Sequence, residues 1–319
     1  MNSKSVLIRV FRICAAAILI WLAIQSLRGT WNAAEFALIF RKASVTWLVW
    51  SALAVAATYC ATIESWRRMM KDEGVRLGTI EATRIVSAAN LGKYLPGRVW
   101  GILGAGLFAS QRGFPPGAAM RATLFQQIVT LATGMIVAGL LSPREPGSFG
   151  KGLAVAAIVV GACSLAMTAA LLHEGARRAI TLRVPRLARG IPQMKHSTWV
   201  IVVALSICVW SGLGAGLVLL ERALFGSISL SWPTATGVFS ASYILGFIAL
   251  LAPAGIGPRE AAFVLLLSSA GAPLHAAALA LASRLVITVI DLGFALPFLG
   301  DLLRASRLER NARERASAG

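Results

Sequence analysis

Eight apolar runs, six continuous and two snapped in the middle, decide what this chain can fold into. A bilayer-crossing helix needs about 20 mostly apolar residues. Residues 10–27, 45–63, 120–141, 153–172, 199–220 and 275–299 each supply such a run, the last carrying Arg284 and Asp291. Of 319 residues, 57% are hydrophobic and 14% charged, against about 25% charged in an average soluble domain. Mean hydropathy is +0.73. So much apolar surface cannot hide in one water-soluble core, and lipid is its natural solvent. The expected fold class is all-α: a polytopic membrane helical bundle of about six full spans plus two oppositely oriented re-entrant helical hairpins. Residues 1–300 form a single integral membrane domain, and 301–319 a basic cytoplasmic tail.

The hairpins are read from the two broken runs. Residues 80–110 are interrupted at Gly92-Lys93-Tyr94-Leu95-Pro96-Gly97, and residues 234–270 at Pro253-Ala254-Gly255-Ile256-Gly257-Pro258. Proline removes a helix donor and clashes with the preceding turn, and glycine permits a sharp reversal. The halves, 80–91 with 99–110 and 234–251 with 261–270, are mostly too short to cross alone. Charge supports the hairpin reading. With the N-terminus cytoplasmic, 21 Lys and Arg fall in cytoplasmic segments and 6 in outer ones: Arg28, Arg41, Lys42, Arg144, Lys151 and Arg222. The remaining 4 are Lys93, Arg98, Arg259 and Arg284. Cytoplasmic loops are expected to carry the basic excess, and making either broken run a full crossing would turn the basic loop 177–195 or the basic tail outward. The first hairpin then enters from the cytoplasm and the second from outside, a pattern that points to a transport site near the midplane.

Net charge is +18, but the basic residues lie between apolar runs and in the tail, so no nucleic acid is expected. Cys14, Cys60, Cys163 and Cys208 sit in separate apolar stretches and are expected as buried free thiols. His173, His196 and His275 are far apart in sequence, and no metal or other cofactor is expected. The run before Arg28 lacks a clear small-x-small cleavage site and reads as a retained first span. No phosphate-binding loop, HExxH or Ser-His-Asp constellation is present, so no catalytic constellation is recognised. Gln126, Gln127, Glu64 and Ser65 read as interhelical hydrogen-bonding groups. Trp31, Trp47, Trp50, Trp66, Trp100 and Trp232 fit an interfacial aromatic belt.

Three places hold chemistry. Around the first break, Lys93, Tyr94, Pro96, Gly97 and Arg98 put two cations beside a half-helix N-terminus, a combination suited to phosphate. Against this stands an interfacial loop with both cations reaching the head groups. Around the second break lie Gly255, Gly257, Arg259 and Glu260, with Pro258 suited to a first helical turn. There Glu260 either caps that helix and pairs with Arg259, or Arg259 is a second anion contact. In the final span, Arg284 and Asp291 are seven residues apart. They share one helical face two turns apart, too far for a direct bridge, and each is expected to meet partners on other helices.

Asn90…Lys93-Tyr94-Leu95-Pro96-Gly97-Arg98-Val99-Trp100 resembles a "KYLPGKVW"-like signature of lysylphosphatidylglycerol synthase transmembrane-region proteins. Pro253…Gly255-Ile256-Gly257…Arg259-Glu260 resembles that family's later "PGGIGVRE"-like signature, with Ala254 and Pro258 where the pattern often has Gly and Val. The resemblance spans most of the chain and implies a flippase-like role, movement of phosphate-headed lipids between leaflets. It implies lipid contacts at Lys93, Tyr94, Pro96, Gly97, Arg98, Gly255, Gly257, Arg259 and Glu260. Larger relatives continue into a soluble aminoacyl-transferase domain; none follows in this sequence, and lysyl-lipid synthesis is not expected. The partners this implies are membrane lipids with anionic head groups. A glycosyltransferase or lipid-modifying enzyme and a second copy of the chain are further candidates. A membrane-embedded transferase, or a scaffold subunit of a lipid or polysaccharide biosynthesis complex, is the alternative reading. The expected location is the inner (plasma) membrane, with both termini cytoplasmic.

Overall fold

The computed structural model describes residues 33–95, 99–143, 148–184, 190–248, 257–268 and 273–318. Among them every regular element is a helix: α1 (Ala33–Arg41), α2 (Val45–Asp72), α3 (Thr79–Asn90), a 3-10 turn (Leu91–Tyr94), α4 (Trp100–Ser110), α5 (Pro116–Leu141), α6 (Ser148–Leu171), α7 (Glu174–Arg183), α8 (His196–Phe225), α9 (Trp232–Ile248), α10 (Pro258–Ser268) and α11 (Pro273–Ala318). Five helices are long and apolar enough to cross a membrane: α2, α5, and the apolar stretches Gly150–Leu171 of α6, His196–Phe225 of α8 and His275–Phe298 of α11. They coincide with five of the six runs read from the sequence; the first, 10–27, lies outside the described residues. This is an all-helical, multi-pass membrane protein.

Packing explains the arrangement. Helices α2 and α8 lie side by side through small residues, with Ser51 Oγ donating to the Gly216 carbonyl at 2.7 Å. Trp210 of α8 is buried against α5, where its indole N–H reaches the Thr130 carbonyl at 3.2 Å. Helix α6 is peripheral, with only 11% of its apolar window buried, so Leu153, Val155, Val159 and Met167 face outward as lipid-facing side chains should. Gln126 of α5 donates to the Thr62 carbonyl at 2.8 Å and also meets the Ser65 hydroxyl, an interhelical role as its sequence position suggested.

The two broken runs form antiparallel helical pairs. Helices α3 and α4, with 12 and 11 residues, are about 18 and 17 Å long at 1.5 Å per residue. Both fall short of the roughly 30 Å hydrocarbon core. Their tip is tight: a Cβ on Gly92 would lie 2.8 Å from the Gly101 nitrogen, so the returning chain leaves room only for glycine. In the second pair, Phe239 of α9 meets Phe263 of α10 edge-on at 5.7 Å.

Polar contacts show that the pairs open at opposite ends of the bundle. At one end, Arg112 and Arg84 both reach Glu81, clasping the two legs of the first hairpin. There too Glu73 accepts from Arg121 and from the Gln193 N–H, and Asp72 accepts from the Lys195 N–H at 2.9 Å. At the other end, the Ser44 N–H donates to the Ala223 carbonyl, Glu221 holds the backbone of Ser229 and Leu230, and Phe225 stacks on His275.

Some expectations are corrected. Cys60, Cys163 and Cys208 are free thiols but exposed on the bundle surface rather than buried, because in lipid an apolar side chain has no need of an interior; Cys14 lies outside the described residues. Trp66 is not part of an interfacial belt: it is 1% exposed and donates to the Thr123 hydroxyl. Glu64 bonds along its own helix, to Arg67 and Arg68, rather than across to a neighbour. His173 and His196, distant in sequence, bring their rings within 6.1 Å. The last helix runs on through residues 301–318 without a break.

Candidate functional site

The tip of the first hairpin is pinned to the last span. Lys93 Nζ lies 2.6 Å from Asp291 Oδ2. The Tyr94 hydroxyl donates to the same oxygen at 2.7 Å, and Asn90 Nδ2 donates to Oδ1 at 2.8 Å. Asn90 also reaches the Tyr59 hydroxyl at 3.1 Å, and the Thr288 hydroxyl stands 3.2 Å from that of Tyr94. The Asp291 side chain is 2% exposed. A carboxylate so deep in protein survives as an anion only with its lone pairs satisfied and a cation alongside, and the motif around Lys93 supplies both.

Depth follows from helix arithmetic. Tyr59 stands near the middle of the 28 residues of α2, about 20 Å from either end. Its ring stacks on Phe294, one turn from Asp291, at 4.5 Å. The polar cluster therefore sits near mid-height of a bundle whose helices have membrane length.

The second break builds a different arrangement. Helix α10 opens with Pro258 at its first position, after Gly257 at φ +95°, a left-handed backbone that other residues rarely adopt. Glu260, in the first turn, reaches back so that the Gly257 N–H donates to Oε2 at 2.7 Å, the carboxylate half of a capping box. Its other oxygen accepts from Arg284 Nη1 at 2.5 Å. Glu260 is thus the helix cap, while its ionic partner is Arg284 on α11 and not the adjacent Arg259.

Arg259 is left over. The residue is 8% exposed, and Nη2 is buried with no hydrogen-bond partner among the described residues. Its guanidinium carbon lies 4.8 Å from the Phe239 ring and 5.8 Å from that of Phe263. Aromatic faces attract a cation but cannot accept hydrogen bonds in its plane, so its edge remains available. Charges of both breaks act on one another: Lys93 lies within electrostatic range of Arg259 and Arg284, and Arg259 within range of Arg284, Tyr94 and Tyr243. Three cations and two carboxylates gather here. Residues 7–295 match the family described as the lysylphosphatidylglycerol synthase TM region.

The chain belongs to that family. The match takes in the first apolar run, both breaks and the polar part of α11. No curated protein matches the chain. The structure brings together Lys93, Tyr94, Gly257, Arg259, Glu260, Arg284 and Asp291; Pro96, Gly97, Arg98 and Gly255 lie outside the described residues. Sequence reasoning missed Tyr59, Thr288, Tyr243 and the two phenylalanines under Arg259. One signal was present: all three tyrosines of the chain, Tyr59, Tyr94 and Tyr243, lie around this cluster, although nothing in their spacing says so. Asn90 was within the first motif but carried no charge to attract notice.

Proposed function

We propose that this TM-region protein is a lipid translocator, moving a phosphate-headed lipid, either a phospholipid or a lipid-linked glycan precursor, between leaflets. The observation that carries the reading is the Arg259 guanidinium, buried, short of a hydrogen-bond partner, and placed where two broken helical regions approach each other from opposite ends. A buried cation without a counter-ion is costly, and a protein retains one where an anion visits. The head group docks at Arg259 while the acyl or prenyl tails stay in lipid. Relative movement of the hairpins against the long spans exposes the site first to one side and then to the other. In this reading both hairpins are re-entrant, the basic end of the bundle is cytoplasmic, the membrane is the plasma membrane, and Arg98 and Lys93 lie along the route of the head group.

Transport is favoured over a transferase because the two buried carboxylates that might serve as a base, Glu260 and Asp291, are each held in an ion pair. An enzyme that makes or consumes the transported lipid is the partner chemistry this function requires, and its co-purification tests that part. The translocation itself is tested with full-length protein in liposomes, following leaflet exchange of a fluorescent phosphodiester lipid by dithionite quenching. Wild-type protein is expected to accelerate exchange, and Arg259→Gln to reduce the rate at least tenfold. Equal rates for empty liposomes, wild type and variant would overturn the proposal.

A further inference from the structure

The charge inventory of the site carries a prediction about which head groups it accepts. Among the described residues, Lys93, Arg259 and Arg284 face Asp291 and Glu260, leaving one positive charge uncompensated. Both carboxylates are fully engaged. Glu260 holds the Gly257 N–H and Arg284. Asp291 holds Lys93, Tyr94 and Asn90. The surplus charge resides on Arg259, whose faces look onto Phe239 and Phe263 and whose Nη2 is unpartnered. A ligand therefore meets it edge-on, as a phosphate oxygen does.

We propose that Asp291 sets the head-group charge this site accepts, and that the accepted class is a lipid with a single negative charge on a phosphodiester. The location rests on the transport reading above; the selectivity is a property of binding. One negative charge cancels the surplus and leaves both ion pairs intact. A phosphate monoester or diphosphate brings a further charge. That charge must either stay unpaired in protein or take Lys93 or Arg284 from its carboxylate, leaving the carboxylate orphaned and buried. A head that adds ammonium groups, such as a lysyl ester, brings positive charge to a site already positive. Replacing Asp291 by asparagine keeps a side chain of the same shape beside Tyr94 and Asn90 but raises the site's net charge by one. The preference should then move toward doubly charged heads.

The test is competition binding with the purified full-length chain in nanodiscs. A fluorescent phosphatidylglycerol is displaced by four unlabelled lipids of matched tails: phosphatidylglycerol, phosphatidic acid, phosphatidylcholine and the lysyl ester of phosphatidylglycerol. At pH 8, above the second phosphate pKa of about 6, phosphatidic acid is doubly charged. Wild type is expected to bind phosphatidylglycerol at least tenfold more tightly than the other three. Asp291→Asn is expected to shift the ratio of phosphatidic acid to phosphatidylglycerol affinity at least tenfold toward phosphatidic acid. Glu73→Gln, at the far end of the bundle, should leave that ratio unchanged. Should Asp291→Asn fail to fold, the wild-type ranking decides alone. Equal affinity for phosphatidic acid or the lysyl ester, or an unchanged ratio in a folded Asp291→Asn protein, overturns the proposal. Charge-selective binding without leaflet exchange would refute the transport reading and leave this one standing. Leaflet exchange without charge preference would do the reverse.

Discussion

Lys93 and Asp291 provide the sharpest energetic test of the site, through a double-mutant cycle of Lys93→Met and Asp291→Asn. The pair closes at 2.6 Å, with the Asp291 side chain 2% and the Lys93 side chain 32% exposed. Breaking a fully buried pair by removing one partner costs about 3–5 kcal/mol, because the other charge is left uncompensated. Lys93 is open enough to recover part of that from its surroundings, which lowers the expected cost of Asp291→Asn to about 2–3 kcal/mol. Lys93→Met strands the more buried carboxylate, which retains Tyr94 and Asn90 as donors, and should cost about 2–4 kcal/mol. The double variant removes both charges and strands neither. It should therefore cost about the same as one single variant, giving a coupling energy near 2 kcal/mol. Reversible unfolding in mixed micelles, followed by tryptophan fluorescence against the mole fraction of denaturing detergent, reads all four corners. Single costs that add to within about 0.5 kcal/mol in the double variant would refute the claim that these two residues share one buried interaction.

Other outcomes follow from the same geometry. Gly246→Ala places a Cβ 2.8 Å from that of Arg259; it should displace the guanidinium and slow leaflet exchange without changing any charge, measured beside Arg259→Gln. Gly214→Ala drives a methyl group to within 2.7 Å of the Thr236 Cα, and overpacking of this kind should cost about 1–3 kcal/mol in micelle unfolding. Glu73→Gln weakens the grip on Arg121 and the Gln193 N–H at the basic end of the bundle. The Glu73 side chain is 3% exposed, so a loss of about 2–3 kcal/mol is expected in the same assay. Cys60 and Cys208 are exposed near the middle of α2 and α8, where lipid should surround them. In intact membranes they should resist a charged, water-borne thiol reagent and react once the protein is unfolded in detergent; rapid labelling in membranes would contradict the span assignment.

The five described spans were legible in the sequence because lipid demands the same thing of every segment: about 20 apolar residues whose backbone bonds close internally. The two breaks were legible for a related reason. Proline and glycine stop a helix by local sterics alone, so Thr79–Asn90, Trp100–Ser110, Trp232–Ile248 and Pro258–Ser268 begin and end close to where the sequence places them. Gly257, Pro258 and Glu260 even specify their own helix start, since the capping contact spans only three residues.

Who pairs with whom was not legible, because charge pairing is decided by through-space distance. Read along the chain, Arg259 and Glu260 are adjacent and look like partners, while Arg284 and Asp291 look like two lone charges in one span. Folding exchanges these relations: Glu260 meets Arg284 across 24 positions, and Asp291 meets Asn90 and Tyr94 across about 200. Arg259 is left between two aromatic rings. Local rules wrote the helices and their breaks into the sequence. The choice of which cation goes unpaired belongs to the packing of α3, α10 and α11 around one buried point, since only there do charges from distant segments compete for the same two carboxylates.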